Sequence, residues 1–369
     1  MVGESFPGRL GLQQRVLPSY RAAFFDTLAT ACQGGLSVFA GKPLAKEGID
    51  PIDKLQKAQY VQAKNRYFSD PSSPMFLCWQ AGFFHWLEAW QPDVLIVEAN
   101  PRYIATRRAI LWMHQKGRKV IGWGLGAPPI SGPLATLHRW ERLRMLRSLD
   151  AILAYSEQGA EQYGKLGIAS ERVYVASNAV DPTPTNPPPL KPLHFNGQIT
   201  VLFVGRLQPR KRVDLLLQAC AGLPLELQPH LIIVGDGLAR EELANLAHQI
   251  YPNAEFVGAK HGDELEPYFA KADLFVLPGT GGLAIQQAMA HGLPVVVARG
   301  DGTQDDLVRR ENGWQVPPDD LPALTNVLNL ALSDPTKLRK MGEASYYIVA
   351  KEINVESMVG VFLRAINSL

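Results

Sequence analysis

The stretch VLFVGRLQPRKRVDLLLQAC, residues 201–220, runs from an apolar segment through a glycine into a basic turn around a proline, then into a leucine-rich helical pattern. An unbroken run of Val, Leu and Phe ending in Gly205 predicts a strand buried on both faces, the kind found in parallel sheets. Arg206 then stands at the strand end and Lys211 where the following helix begins. Two cations beside a helix N-terminus form a receptor for phosphate or diphosphate, because free amides and the helix dipole add to the full charges. Taken alone, the turn reads first as a solvated basic surface, so its neighbours decide.

Those neighbours repeat the rhythm: ITVLFVG from Ile199, HLIIVGDG from His230, AEFVG from Ala254, ADLFVLP from Ala272 and LPVVVA from Leu293 each end in glycine, proline or a polar turn. The intervening loops therefore fall at one edge of the sheet, and in open parallel sheets the carboxyl edge is where ligands bind. The first half shows the same alternation, with LGLQQR near Leu10, LSVFAG from Leu36, PMFLCW from Pro74, PDVLIVEAN from Pro92, KVIGWG from Lys119 and DAILAYS from Asp150. These read as parallel strands with crossover helices. Between the halves, DPTPTNPPPLKP (181–192) suits a stiff linker and neither helix nor central strand. The expected architecture is α/β, two Rossmann-like doubly wound domains facing across a cleft, with residues 1–190 in the first and 191–349 in the second.

Length agrees, since 369 residues exceed what one hydrophobic core usually organises. A net charge of +2 without clustered cations and stacking aromatics argues against a nucleic-acid partner. Cys32, Cys78 and Cys220 have no paired spacing, so neither a disulfide framework nor a zinc site is indicated. The start MVGESFPGRLGL lacks the charged and apolar parts of a signal peptide, and no stretch is long enough to span a bilayer. A cytoplasmic location is expected, a peripheral contact with the inner face of the membrane being compatible with it.

The second anion-binding signal is PGTGGLAIQQAMAHGLPVV, residues 278–296, whose three glycines open an alanine-rich helix. Backbone N–H groups of Gly282 and Leu283 would face a diphosphate there, joining Arg206 and Lys211. VGDG (234–237) and VGAK (257–260) close two further strands at the same edge.

In this order and spacing, FVGRLQPRKRVDLLLQA, IIVGDG, FVG, ADLFVLPG, GLAIQQAMAHGLPVV and NG at Asn312 resemble the nucleotide-binding half of the family 4 retaining glycosyltransferases of GT-B fold. The resemblance covers residues 199–318, and extends more loosely to QRVLPSYRAAFFDTLA and to AILAYSEQGAEQYGKLGI with VYVASNAVD. It implies a UDP-sugar donor, UDP-glucose first, and a saccharide or lipid-linked saccharide acceptor in bacterial envelope or exopolysaccharide synthesis. Arg206, Lys211, Gly282 and Leu283 then match the diphosphate site, Val257, Gly258, Ala259 and Lys260 the loop that reads the base, and Gln287 the ribose position. Gly279, Thr280 and Gly281 sit where the donor sugar would lie. The resembling fold also returns its last helix, about residues 350–369, to the first domain. No cofactor or metal is implied.

Where the family usually places two glutamates eight residues apart, this chain has Gly279 and Gln287. The amide of Gln287 can still accept from ribose hydroxyls, but glycine offers a sugar only backbone. That loss keeps open a catalytically weak nucleotide-sugar binding protein, and a UDP-sugar epimerase of the same fold is a third reading. On the acceptor side, Glu98 and Asn100 close one strand, Trp123 and Gly124 another, and Arg15 lies in the first strand unit; no catalytic side chain is assigned. His85 and His114 read as packing residues, and Asp305 and Asp306 as helix caps. LHRWERLRMLRSLD (137–150) reads either as a basic membrane-facing helix or as a core-facing stripe with a solvated basic face.

Overall fold

The computed structural model describes every residue except 1–3, 45, 46, 48, 70–72, 74, 75, 133, 186, 190, 192–197 and 301. The chain divides into two compact units, Met1–Pro182 with Val355–Leu369, and Thr183–Asn354. Each is built on one parallel sheet.

In the first unit the strands are β1 (Leu10–Val16), β2 (Leu36–Gly41), β3 (Gln59–Gln62), the hairpin pair β4 (Lys64–Tyr67) and β5 (Cys78–Ala81), then β6 (Val94–Glu98), β7 (Lys119–Gly124), β8 (Ala151–Ala154) and β9 (Val173–Val175). The sheet runs β3-β2-β1-β6-β7-β8-β9, parallel throughout. Its central strands are buried along almost their whole length, as expected where helices cover both faces. The segment read as a parallel strand from Pro74 is corrected: β5 pairs antiparallel with β4, Lys64 opposite Ala81. Residues 68–77 are too few for the crossover helix that a parallel return requires, whereas a hairpin needs no such length. The last helix, Val355–Asn367, lies against the helix Ala22–Ala31, with the Phe362 ring 4.8 Å from Phe24 and 5.1 Å from Trp123 between centroids.

The second unit contains β10 (Thr200–Val204), β11 (His230–Val234), β12 (Glu255–Gly258), β13 (Leu274–Leu277), β14 (Val295–Ala298) and β15 (Gly313–Val316), in the order β12-β11-β10-β13-β14-β15. The chain winds outward from β10 to β12, then returns to β13 on the other side. The carboxyl ends of β10 and β13 therefore adjoin at a topological switch point, where the loops diverge and leave a crevice. β1 and β6 stand in the same relation in the first unit.

At their opposite ends, β10 and β13 are locked by Asp273. Its carboxylate accepts from the Thr200 amide at 2.8 Å and from Arg339 Nη2 at 2.8 Å, and its own amide donates to the Thr200 carbonyl at 2.8 Å. Both members of this ion pair are largely out of water, so removing one leaves the other buried with its charge. We predict that Asp273→Ala lowers unfolding free energy by about 3 kcal/mol or more. Urea denaturation followed by circular dichroism measures this; an unchanged midpoint would contradict the role given to Asp273.

Candidate functional site

Everything read from sequence as a diphosphate site lies on the carboxyl edge of the second sheet. β10 ends at Val204, and the chain passes Gly205 and Arg206 into the short turn Pro209–Lys211 before the helix Val213–Ala221 begins. Arg212 caps that helix in a left-handed conformation, φ 53° and ψ 40°, which costs a non-glycine residue about 1–2 kcal/mol. Its guanidinium pairs with Asp214 at 3.0 Å and also with Asp319, which holds the turn in place.

Directly opposite, β13 delivers the glycine loop. The Thr280 amide donates to the Arg210 carbonyl at 3.0 Å, and Arg210 Nη1 donates to the Thr280 hydroxyl at 3.1 Å. Gln304 Nε2 donates to the Gly281 carbonyl at 3.1 Å, tying the loop to the helix Thr303–Leu307. The helix Leu283–Ala290 then starts with Gly282 as its cap, without a side-chain cap and without an acidic residue in its first turn. Its leading amides have no intrahelical acceptor and are free to meet an anion.

Lys211 lies between these two loops. Burial pushes its pKa down to about 8, and Arg210 and Arg206 press it the same way. Among the described residues no carboxylate forms an ion pair with it. A half-buried ammonium flanked by two arginines and facing a helix N-terminus is an electrostatic arrangement completed by a multiply charged anion.

The glycines in the loop are explained by this packing. Gly279 is buried, and a Cβ there would run into the backbone of Arg210 and Lys211. Gly281 has φ +125°, and a Cβ there would meet the Lys211 ammonium. The expectation that Gly279 touches a donor sugar is therefore corrected, because it is covered by the turn that carries Lys211. Thr280, exposed, and Gly281 and Gly282, partly exposed, do reach the surface. Gln287 is half-buried in the second turn of the helix. Val257, Gly258, Ala259 and Lys260 close β12 at the same edge, with the Gly258 carbonyl accepting from the Gly235 amide at 2.8 Å and Lys260 3.8 Å from Glu264.

The first unit carries a polar cluster at its own switch point. Arg15, at the end of β1, pairs with Glu47 at 2.6 Å and donates to the Tyr67 hydroxyl at 3.3 Å. Burial works against the Arg15 charge, but Glu47 more than offsets it and holds the guanidinium pKa above its ordinary range. Glu98 accepts the Arg15 amide at 2.9 Å and the Tyr103 hydroxyl; burial nevertheless raises its pKa. Beneath them, Gln13 donates to Gln80 at 2.5 Å, and Gln80 donates to Asn65 at 2.9 Å. Glu47, Gln80 and Tyr103 were not anticipated, because they come from loops and strands far apart in sequence. Asn100 turns the chain after β6, its side chain accepting from the Arg102 amide at 3.1 Å.

Trp123 is corrected: only 1% exposed, it packs on Phe24, Tyr155 and Phe362 and cannot face a ligand. Gly124 is partly exposed, but a Cβ there would press on Ala99 and the Tyr163 hydroxyl. His85 and His114 are also exposed rather than packed, His114 bonding to Asp150 at 2.9 Å. Asp305 and Asp306 lie inside the first turn of their helix, which Gly302 caps. In the basic helix Ala135–Arg147, Leu137 and Trp140 are exposed while Met145 and Leu146 are buried. No helix among the described residues is long and apolar enough to cross a membrane.

Restoring an acidic side chain at position 279 should damage this site rather than repair it. Gly279→Glu is expected to lower the melting temperature and to weaken binding of inorganic pyrophosphate, because the loop must withdraw from Lys211. Thermal melts with and without pyrophosphate check this; unchanged stability together with tighter binding would refute the packing argument.

Comparison with known proteins bears on both units. Residues 190–347 match the family described as Glycosyl transferases group 1. A GDP-mannose-dependent alpha-mannosyltransferase of Mycobacterium tuberculosis is 34% identical over 194 residues, 50% of this chain and 49% of that protein. The lipopolysaccharide core biosynthesis glycosyltransferase LpsE of Rhizobium meliloti is 26% identical over 62% of this chain and 67% of its own length. The chain thus spans about half of the mannosyltransferase, and 30% of the Arabidopsis thaliana sulfoquinovosyl transferase SQD2. Among solved structures, Anabaena HepE in complex with UDP superposes with a TM-score of 0.72 at 16% identity, covering 98% of this chain and 100% of that one. Sucrose-phosphate synthase from Thermosynechococcus elongatus gives 0.73 at 18% identity, covering 98% and 99%. The two parallel sheets with flanking helices form a GT-B fold, and residues 190–347, within the second unit, are similar to the group 1 glycosyl transferases.

Proposed function

We propose that the chain is a glycosyltransferase that takes a hexose from a UDP-sugar, UDP-glucose being the leading donor, and transfers it with retention of configuration to a saccharide or lipid-linked saccharide. The observation that carries this reading is the conjunction, at one switch point, of Lys211 with Arg206 and the uncapped amides of the helix Leu283–Ala290. That arrangement binds a diphosphate and, more importantly, stabilises one as it departs. In the transfer the bond from the sugar anomeric carbon to the diphosphate oxygen breaks, the acceptor oxygen bonds to that carbon on the same face, and the acceptor proton passes to the leaving diphosphate. Negative charge then develops beside Arg206, Lys211 and the amides of Gly282 and Leu283, which are already in place to meet it. With that much positive potential supplied by the chain itself, the proposed reaction uses no metal.

The UDP complex of Anabaena HepE supports uracil as the base, while the relative from Mycobacterium tuberculosis is named for GDP-mannose, so the base is the first choice to test. The names of the LpsE relative and of the putative colanic acid glycosyltransferase WcaL of Escherichia coli support an envelope or exopolysaccharide acceptor. Gln287 is assigned to the ribose and Val257, Gly258, Ala259 and Lys260 to the base. Thr280 and the backbone of Gly281 and Gly282 are left to hold the donor sugar.

Calorimetric titration with UDP, GDP and their hexose conjugates, with and without divalent metal, tests the donor. UDP is expected to bind without metal and with a clear preference for one sugar; binding that ignores the sugar would favour a binding protein, and no nucleotide binding would refute the reading. Arg206→Ala and Lys211→Ala should each weaken UDP binding by about 1.5–3 kcal/mol, the value of a charge-assisted hydrogen bond.

The Lys211 ammonium supplies a further test through pH. In the free protein it gives up its proton near pH 8. Bound diphosphate holds that proton on, so binding takes up a proton and affinity must fall as pH rises through about 8, by at most about tenfold per pH unit. Titrations at pH 7.5, 8.5 and 9.5 should show this fall in the native chain and its loss in Lys211→Met. An affinity equally pH-dependent in both would exclude Lys211 as the titrating contact.

A further inference from the structure

The first unit holds a second cation that the diphosphate site does not use. Arg21 closes the turn Ser19–Arg21 after β1, on the carboxyl edge of that unit's sheet, and is only 6% exposed. Its guanidinium carbon lies 5.0 Å from the Trp123 ring, 5.8 Å from Tyr155 and 5.9 Å from Tyr20. Trp123 is the penultimate residue of β7 and Tyr155 follows β8, so the carboxyl ends of three strands of one sheet, β1, β7 and β8, converge on this side chain.

Among the described residues no carboxylate comes within ion-pairing distance of Arg21. Glu98 is near enough for its charge to be felt, but its oxygens serve the Arg15 amide and the Tyr103 hydroxyl. A guanidinium has five N–H donors, and the one partner here is the Met358 sulfur at 4.0 Å, a weak acceptor. Aromatic faces attract the cation but do not accept its in-plane N–H groups. The N–H groups of the fork that meet no acceptor among the described residues remain available to a ligand oxygen pair. Beside it the Tyr20 ring, 43% exposed, offers an apolar face suited to the C–H face of a sugar.

We propose that Arg21 receives an oxyanion, phosphate or carboxylate, carried by the acceptor sugar, with Tyr20 packing against the ring. The inference rests on the transferase reading and sharpens it: the acceptor is an acidic rather than a neutral saccharide. Recognition is by the planar fork, which matches both oxyanions in two-point contact.

The test titrates the full chain, saturated with UDP, with glucose 6-phosphate, glucuronate and glucose. One or both acidic sugars should bind at least about tenfold more tightly than glucose, and which of them does so distinguishes phosphate from carboxylate. Arg21→Gln should abolish that preference while UDP affinity stays within about twofold. Should Arg21→Gln fail to fold, Arg21→Lys keeps the charge, loses the fork and is expected to lose most of the preference. Tyr20→Ala, at an exposed position, should weaken acidic and neutral sugars together. Equal binding of acidic and neutral sugars, or a preference that survives in both Arg21 variants, overturns the proposal. Failure of UDP to bind counts against the donor reading alone, because the same titrations without UDP carry the same two outcomes for Arg21.

Discussion

The second unit is organised around an ammonium group that has, among the described residues, no acidic partner. Lys211 is pressed between the β10 turn and the loop after β13, with Arg206 and Arg210 as its nearest charges. Such a position raises the free energy of the empty protein, since a half-buried cation beside like charges is penalised by desolvation and repelled by its neighbours. What keeps it there is the backbone: the Thr280 amide bonded to Arg210, Gln304 holding the Gly281 carbonyl, Arg212 held by Asp214 and Asp319, and the Asp273 lock at the far end of the same two strands. The glycines follow from this constraint, because a Cβ at Gly279 or Gly281 would collide with the Lys211 segment. Strain of this kind, sustained by surrounding structure, is characteristic of sites prepared for a ligand.

The missing carboxylate at position 279 thereby acquires a physical reason. In this chain the position is buried against the turn, so an acidic side chain there could hold a sugar only if the loop were displaced. The groups of this loop that remain accessible are the Thr280 hydroxyl and the backbone after it. The first unit treats its charges differently. Arg15 is matched by Glu47, and Glu98 accepts from an amide and a phenol, so this cluster is internally bonded and serves to fix the switch point. Arg21 differs in that neighbourhood: rings pack around its guanidinium, and among the described residues no carboxylate lies within ion-pairing distance of it.

Much of the fold was readable because its signals are local. Runs rich in apolar residues and ending in glycine, proline or a polar turn mark β1, β2, β6, β7, β8, β10, β11, β12, β13 and β14, and the turn residues that terminate them fix the ligand edge. The short polar strands β3 and β4 left no such mark: KNRY in β4 has the composition of a loop and becomes a strand only through pairing with β5. The three-residue β9 and the strand β15, GWQV, were likewise too short or too mixed to stand out. At the site, Arg206, Lys211, Gly282 and Leu283 were legible because a strand, a basic turn and a glycine-opened helix are contiguous in sequence. Trp123 was misread because alternation along a strand does not say which end of a buried face meets solvent. Arg21 was passed over because its significance lies in what surrounds it, and Trp123, Tyr155 and Met358 come from distant parts of the chain.

The most direct test of the account is a crystal structure of the chain with UDP. The β-phosphate is expected within hydrogen-bonding distance of Lys211 Nζ and of the amides of Gly282 and Leu283, with the ribose beside Gln287 and the loop 278–282 unmoved. A diphosphate bound elsewhere, or one that reaches Lys211 only after the Thr280–Arg210 contacts have broken, would contradict the claim that this switch point is built in advance for a diphosphate.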